Sequence, residues 1–321
     1  MGLNNHGLAH MEMPLTMASH PTLKAAWKAM NHVHYNFRQH EKAFGLLITG
    51  PSGIGKSFLA ETYTNQSVPK KTIELNTIPV LHFEVPIATN SPGILLRSLI
   101  KAMGAPVPRK TVEFSELFAQ FNYLLKAFEV ELLILDEVQH TLPKRDGIKT
   151  QEMLKFFASL LDQSRVPTVF MGTRAAERLM NFGKSKGTYD DDEQLSRRLI
   201  KPIKLHEILP RNIECFEAFN FFFAKANLPL LAQDEKDIIA RLCLAYRNHY
   251  FGTLDKLFSG YDFSYVTDRK SLLNALKKSF ELNCPQEDNP FCTKAFSATD
   301  ANSMMEHHRE QVLDWRHDNG Y

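Results

Sequence analysis

The sequence predicts an α/β protein, a parallel sheet flanked by helices and followed by a small helical domain. Three observations predict it. Apolar runs of six or seven residues recur up to about residue 205, separated by stretches of helical periodicity. One of these runs leads directly into "GPSGIGKS" at 50–57. After Pro210 the strand-like runs stop and only helical periodicity continues.

The elements follow in order. Residues 1–20 are polar, rich in Met and His and aperiodic, and are read as a mobile arm. From Pro21 to about Gln39 the pattern is helical, with Leu23, Trp27 and Met30 on one face. "FGLLIT" (44–49) is a buried strand, and a helix follows Lys56. "PVLHFEV" (79–85) is a strand and 91–103 a helix; "ELLILDE" (131–137) is a strand and 150–163 a helix. "PTVFMGT" (167–173) is a strand, 174–181 a short helix and "IKPIKL" (200–205) the last strand. Buried, largely apolar strands alternating with helices mark a parallel sheet covered on both faces. Segments 211–226, 234–249 and 268–282 are helical. The expected domains are therefore an arm at 1–20, an α/β nucleotide-binding domain at 21–208, a helical lid at 209–284 and a polar, weakly patterned tail at 285–321.

Bulk composition narrows the function classes. A chain of 321 residues that is 44% apolar and 23% charged can bury a full core. A net charge of +2 points to no global nucleic-acid affinity, which leaves a local basic surface. Cys215, Cys243, Cys284 and Cys292 lack zinc-ligand spacing and are expected as reduced thiols in a cytoplasmic protein. The histidines at 6, 10, 20, 32, 34 and 40 have no Cys or carboxylate cluster to complete a metal site, and are read as scattered surface residues. No run is long enough for a membrane span, and the first thirty residues lack the order of a signal peptide.

The 50–57 stretch fits the phosphate-loop pattern G-x-x-x-x-G-K-S/T, with Gly50, Gly55, Lys56 and Ser57 on the fixed positions. Its backbone must curl around a phosphate chain, which glycines permit. The amides of Gly50, Pro51, Ser52, Gly53, Ile54 and Gly55 form the loop, proline lacking the N–H, and the next helix presents its positive end. Lys56 is placed to bridge the β- and γ-phosphates of ATP, and the Ser57 hydroxyl to bind Mg²⁺. "LLILDE" delivers Asp136 and Glu137 at a strand's carboxyl end, where ligands bind in such sheets. Asp136 suits the Mg²⁺ shell and Glu137 the activation of an attacking water. A carboxylate in that position favours hydrolysis over a small-molecule kinase, which must exclude water. Thr173 ends the next strand, placed to contact the γ-phosphate, to cap the following helix, or both. "EQLSRRL" (193–199) carries Arg197 and Arg198, either of which suits a finger reaching a neighbouring subunit's γ-phosphate. A basic surface helix partnered by "DDDE" (190–193) is the plainer reading.

Together these motifs resemble the AAA+ ATPases over residues 20–282. The stretches "ILDEVQHTLP", "VFMGTRAAERLM" and "QLSRRL" resemble the TnsC/TniB transposition regulators, most of all the TnsC of CRISPR-associated transposons. The resemblance implies an ATP-dependent oligomer, a ring or filament on duplex DNA, linking a TniQ-type targeting protein to the transposase. That family usually places an Arg in the lid near a Gly. Here "YFGTLDKLF" has Gly252 and Lys256, so Lys256 is the candidate substitute.

Two basic stretches suit phosphate contacts that position without reading sequence: "APVPRKT", with Arg109 and Lys110, and "HTLPKRDGIK", with Lys144, Arg145 and Lys149. Ordinary solvated side chains are the alternative. A helicase loader or a signalling scaffold without DNA would share the ATP site, and DNA-stimulated assembly separates them.

Overall fold

The computed structural model describes residues 13, 20–40, 43–69, 76–109, 111–145, 147–181, 195–284 and 288–318. Lys110, the "DDDE" segment and nearly all of the 1–20 arm lie outside them. The chain divides into two units. The first contains Ala25–Pro51 and Lys56–Leu205; the second contains residues 20–24, Ser52–Gly55 and His206–Tyr321.

In chain order, α1 (Pro21–His40) precedes β1 (Gly45–Thr49), α2 (Lys56–Gln66), β2 (Val80–Glu84), α3 (Pro92–Ala102), α4 (Phe114–Ala127) and β3 (Leu132–Asp136). Then come α5 (Ile148–Ser164), β4 (Thr168–Gly172), the single turn α6 (Arg178–Asn181) and β5 (Ile203–Lys204). The strands form one parallel sheet in the order β2-β3-β4-β1-β5. Every residue of β1, β3 and β4 is buried, as expected of strands covered on both faces. Leu47, Leu133, Leu135 and Phe170 meet Leu99, Phe121, Phe157 and Leu160 in the core, and the Phe157 and Phe170 rings lie 5.0 Å apart. Each such side chain contributes about 1.5–3 kcal/mol by burial.

The register positions the chemistry. Thr49 pairs with Gly172, Leu135 with Phe170 and Asp136 with Glu84, so the carboxyl ends of β1, β4 and β3 share one edge. Strand β4 stands between the strand that enters the phosphate loop and the strand that ends in the acid pair.

Helix α4 is an element that the apolar runs did not reveal. Two prolines, Pro106 and Pro108, drew the preceding segment into a long connection, which Arg97 pins by donating from Nη1 to Pro108 O at 2.5 Å. Helix α4 nonetheless buries Leu117, Phe118, Phe121 and Leu125, a stripe at helical spacing. Helix α3 starts as its sequence suggests, with Ser91 accepting from the Ile94 amide at 3.4 Å and Pro92 in the first turn. His34 is buried rather than on the surface, with Nδ1 3.0 Å from the Tyr63 hydroxyl and Nε2 3.3 Å from Glu131 Oε2.

The second unit holds α7 (Ile213–Lys225), α8 (Lys236–Ser259), α9 (Arg269–Asn283) and α10 (Ala298–Asp318). The stretch read as a polar tail thus contains a helix of 21 residues packed on α8. Only Ala301, Met305, His308 and Val312 of it are buried, one narrow stripe. Arg241, 1% exposed, fastens the intervening segment by donating to Pro290 O at 2.6 Å and Phe296 O at 3.0 Å. Helix α8 runs ten residues past the end expected at 249, with an irregularity inside it. Tyr250 has φ +54°, and the Gly252 amide, released from the helix ladder, donates to Gly53 O of the phosphate loop at 3.1 Å. His20 is also buried. Its Nδ1 accepts from the Thr22 amide at 3.1 Å, and burial, with His206 and Arg316 nearby, lowers its pKa to about 3.

Candidate functional site

The phosphate loop leaves β1 at Thr49 and is held at once to the neighbouring strand, the Gly50 amide donating to Gly172 O at 3.2 Å. Gly53 (φ +82°) and Gly55 (φ +102°) occupy backbone conformations that side chains disfavour, which gives the loop its curl. Helix α2 then begins at Lys56 with no acidic residue in its first turn, which leaves its own positive end open to an anion.

Lys56 is 4% exposed, and its Nζ donates to Gly50 O at 3.0 Å and Pro51 O at 2.9 Å. Burial draws the ammonium below its usual pKa, while Glu137 and Asp136 push it back up. The loop carbonyls hold the charge where phosphate oxygens would take it over. Ser57 is exposed beside it.

Asp136 is 1% exposed at the end of β3, and its Oδ1 accepts from the Glu137 amide at 2.8 Å. Glu137 has φ +54° and ψ +35°, an uncommon conformation for a non-glycine residue and one that turns the chain sharply at the strand end. A 3-10 turn, Val138–Thr141, follows. Thr173 stands at the N-cap of the 3-10 turn Arg174–Glu177, and its hydroxyl makes no capping bond. Its amide instead donates to Gln139 Oε1 at 3.1 Å, and Gln139 Nε2 donates to Glu137 Oε2. Gln139 was not singled out in the sequence; the only signal was a polar residue two positions after Glu137.

Among the described residues no group of three or more His, Cys, Asp and Glu side chains is placed to hold a metal by itself. One buried carboxylate and one exposed hydroxyl fit Mg²⁺, whose shell is ordinarily completed by water and substrate phosphates.

Arg197 and Arg198 lie in the 3-10 turn Ser196–Arg198. Arg198 makes a two-pronged bond to Asp162, Nε to Oδ1 at 2.8 Å and Nη2 to Oδ2 at 2.6 Å, which raises its pKa. Arg197 is exposed. Lys256 is exposed on α8, near enough to Cys284 that its charge opposes the upward push of burial on that thiol. Lys144 and Arg145 are exposed in the connection from β3 to α5, Lys149 is exposed in the first turn of α5, and Arg109 is exposed in the connection from α3 to α4.

A family model described as the bacterial TniB protein matches residues 13–207. The chain belongs to the TniB family. Its fold is that of Walker-type ATPases, as two solved structures show. One is a Walker-type ATPase of Pyrococcus abyssi, 15% identical with a TM-score of 0.51, aligned over 78% of this chain and 71% of that one. The other is the Aeropyrum pernix ORC1 protein in complex with DNA, 17% identical with a TM-score of 0.51, over 81% of this chain and 66% of that one. A comparison with curated protein sequences finds no match. The TniB chain is thus an AAA+ ATPase of the transposition-regulator type. No helix among its described residues is long and apolar enough to cross a membrane.

Proposed function

We propose that this TniB-family ATPase is an ATP-switched oligomer that assembles on duplex DNA and links a TniQ-type target-selecting protein to a transposase. The observation that carries the reading is the meeting of the phosphate loop, the Asp136–Glu137 pair and Thr173 at one sheet edge in a TniB-family chain. The likeness to the TnsC of CRISPR-associated transposons, and a cytoplasmic location, belong to the same reading.

The chain's own residues divide the work. Amides of residues 50–57 and the start of α2 cradle the phosphates of ATP, and Lys56 exchanges its loop carbonyls for β- and γ-phosphate oxygens. Ser57 and Asp136 would hold Mg²⁺, which when bound neutralises charge on the transferring phosphoryl group. Glu137 accepts a proton from the attacking water. Thr173 approaches the γ-phosphate from β4.

The finger is assigned to the adjacent pair Arg197 and Arg198 in the turn Ser196–Arg198. Arg198 is also paired with Asp162. A finger acts on the neighbouring subunit. Subunits with both arginines replaced by Ala should therefore regain hydrolysis when mixed with subunits carrying Lys56→Ala, because a mixed interface can join an intact loop to an intact finger. Phosphate release in the mixture is the measurement. Mixed oligomers as inactive as either parent would overturn the assignment.

The DNA surface is assigned to Arg109, Lys110, Lys144, Arg145 and Lys149. Phosphate contacts release counterions, so binding should weaken steeply with salt and depend little on sequence. ATP should strengthen it, since assembly makes each further contact intramolecular. Replacing Lys144, Arg145 and Lys149 by Ala should weaken binding to all duplexes and flatten the salt slope by about 0.9 per lost contact, with ATP affinity unchanged. A salt titration of duplex binding with ATP present checks this. An unchanged slope would place the DNA surface elsewhere.

A further inference from the structure

Resting on the reading of Glu137 as the water-activating base, we propose that Gln139 is the positioning residue that aims it. The two ends of one side-chain amide are both committed. Oε1 accepts from the Thr173 amide at 3.1 Å, and Nε2 donates to Glu137 Oε2. Because a backbone N–H can only donate, the oxygen must face Thr173 and the nitrogen must therefore face the carboxylate. The orientation of the amide is fixed by its partners. It ties the acid at the end of β3 to the end of β4, the strand beside the phosphate loop.

Two backbone features make room for this bridge. Gly172 has no side chain where one would run into Gln139 Oε1 and stand 2.9 Å from Ala176 Cβ. Glu137 adopts its left-handed conformation immediately before the 3-10 turn that carries Gln139, which folds the two side chains together. One carboxylate oxygen, Oε2, is thereby held by the amide, and Oε1 is left to receive a proton. A base works only when its lone pair is aimed at the water, and a glutamate without a partner samples several rotamers. The third member that orients the base is the role Gln139 fills. Its role is exercised through Glu137.

The competing account is that Gln139 merely satisfies the Thr173 amide. Three variants separate the two. Gln139→Ala should lower kcat on the order of 10- to 100-fold, as losing an orienting partner does, with ATP affinity and melting temperature near wild type. Gln139→Glu keeps an acceptor for the Thr173 amide but cannot donate to Glu137. It should also be slow, and its added negative charge should move the acidic limb of the pH–rate profile to higher pH. Gly172→Ala, with Gln139 intact, should displace the amide and lower kcat; added to Gln139→Ala it should cost less than it does alone, the residual cost coming from the contact with Ala176 Cβ. Wild-type kcat in Gln139→Ala would overturn the proposal. So would wild-type kcat and an unmoved acidic limb in Gln139→Glu, because only the Thr173 amide would then need a partner. Equal loss of ATP affinity and kcat in Gln139→Ala would likewise overturn it. Glu137→Gln tells the failures apart. If that variant still turns over, the base reading falls and the inference with it. If it is stalled while Gln139→Ala runs at full rate, only the inference falls.

Discussion

Replacing Lys56 by Ala should abolish ATP binding. The ammonium is buried at the mouth of the loop with two carbonyls holding it in place, so its geometry is set before a ligand arrives. A charge-assisted hydrogen bond is worth about 1.5–3 kcal/mol, and Lys56 is positioned to make one to each of two phosphates. Losing both weakens binding on the order of 10²-fold or more. The loss would also leave Asp136 and Glu137, whose charges Lys56 feels, with no lysine facing them. That makes the site more repulsive to a polyanion. Equilibrium binding of labelled ATP is the measurement, with thermal melting as a control for folding. Wild-type affinity in the variant would remove the phosphate-loop assignment.

Glu137→Gln should retain ATP but stall its hydrolysis. The amide matches the carboxylate in shape and tolerates the same backbone conformation, so the turn at the end of β3 is preserved. Lost are the negative charge and the capacity to take a proton from water. General-base catalysis contributes about 10²–10⁴-fold, and turnover should fall by that order. The variant should accumulate in its ATP-bound, assembled form. Steady-state phosphate release equal to wild type would show that another group activates the water.

The phosphate loop was legible because its chemistry is written in residue types. Glycines at 53 and 55 are required by positive φ, and a lysine must follow them. The acid pair was legible because a wholly apolar strand ends in it. What stayed hidden depends on contacts distant in sequence. Asp162 pairs with Arg198 from 36 residues away. Gln139 acquires its role only when β4 brings the Thr173 amide to it across 34 residues. Helix α10 escaped notice because one narrow stripe faces α8 and the rest of the helix is polar or exposed. Helix α4 carries a periodic stripe that was passed over between the helix at 91–103 and the strand at 131–137. Helix α8 was read ten residues short, and the sequence did not show the positive φ at Tyr250 or the bond from the Gly252 amide to Gly53 O that accompany its continuation.

Nucleotide occupancy is expected to control assembly on DNA. Electron microscopy of the protein with duplex DNA, with and without a non-hydrolysable ATP analogue, tests it most directly. Rings or filaments should form on the duplex when the analogue is present, and none when it is absent or when Lys56 is Ala. Particles that stay single on DNA with the analogue bound, or that assemble equally well without it, would contradict it.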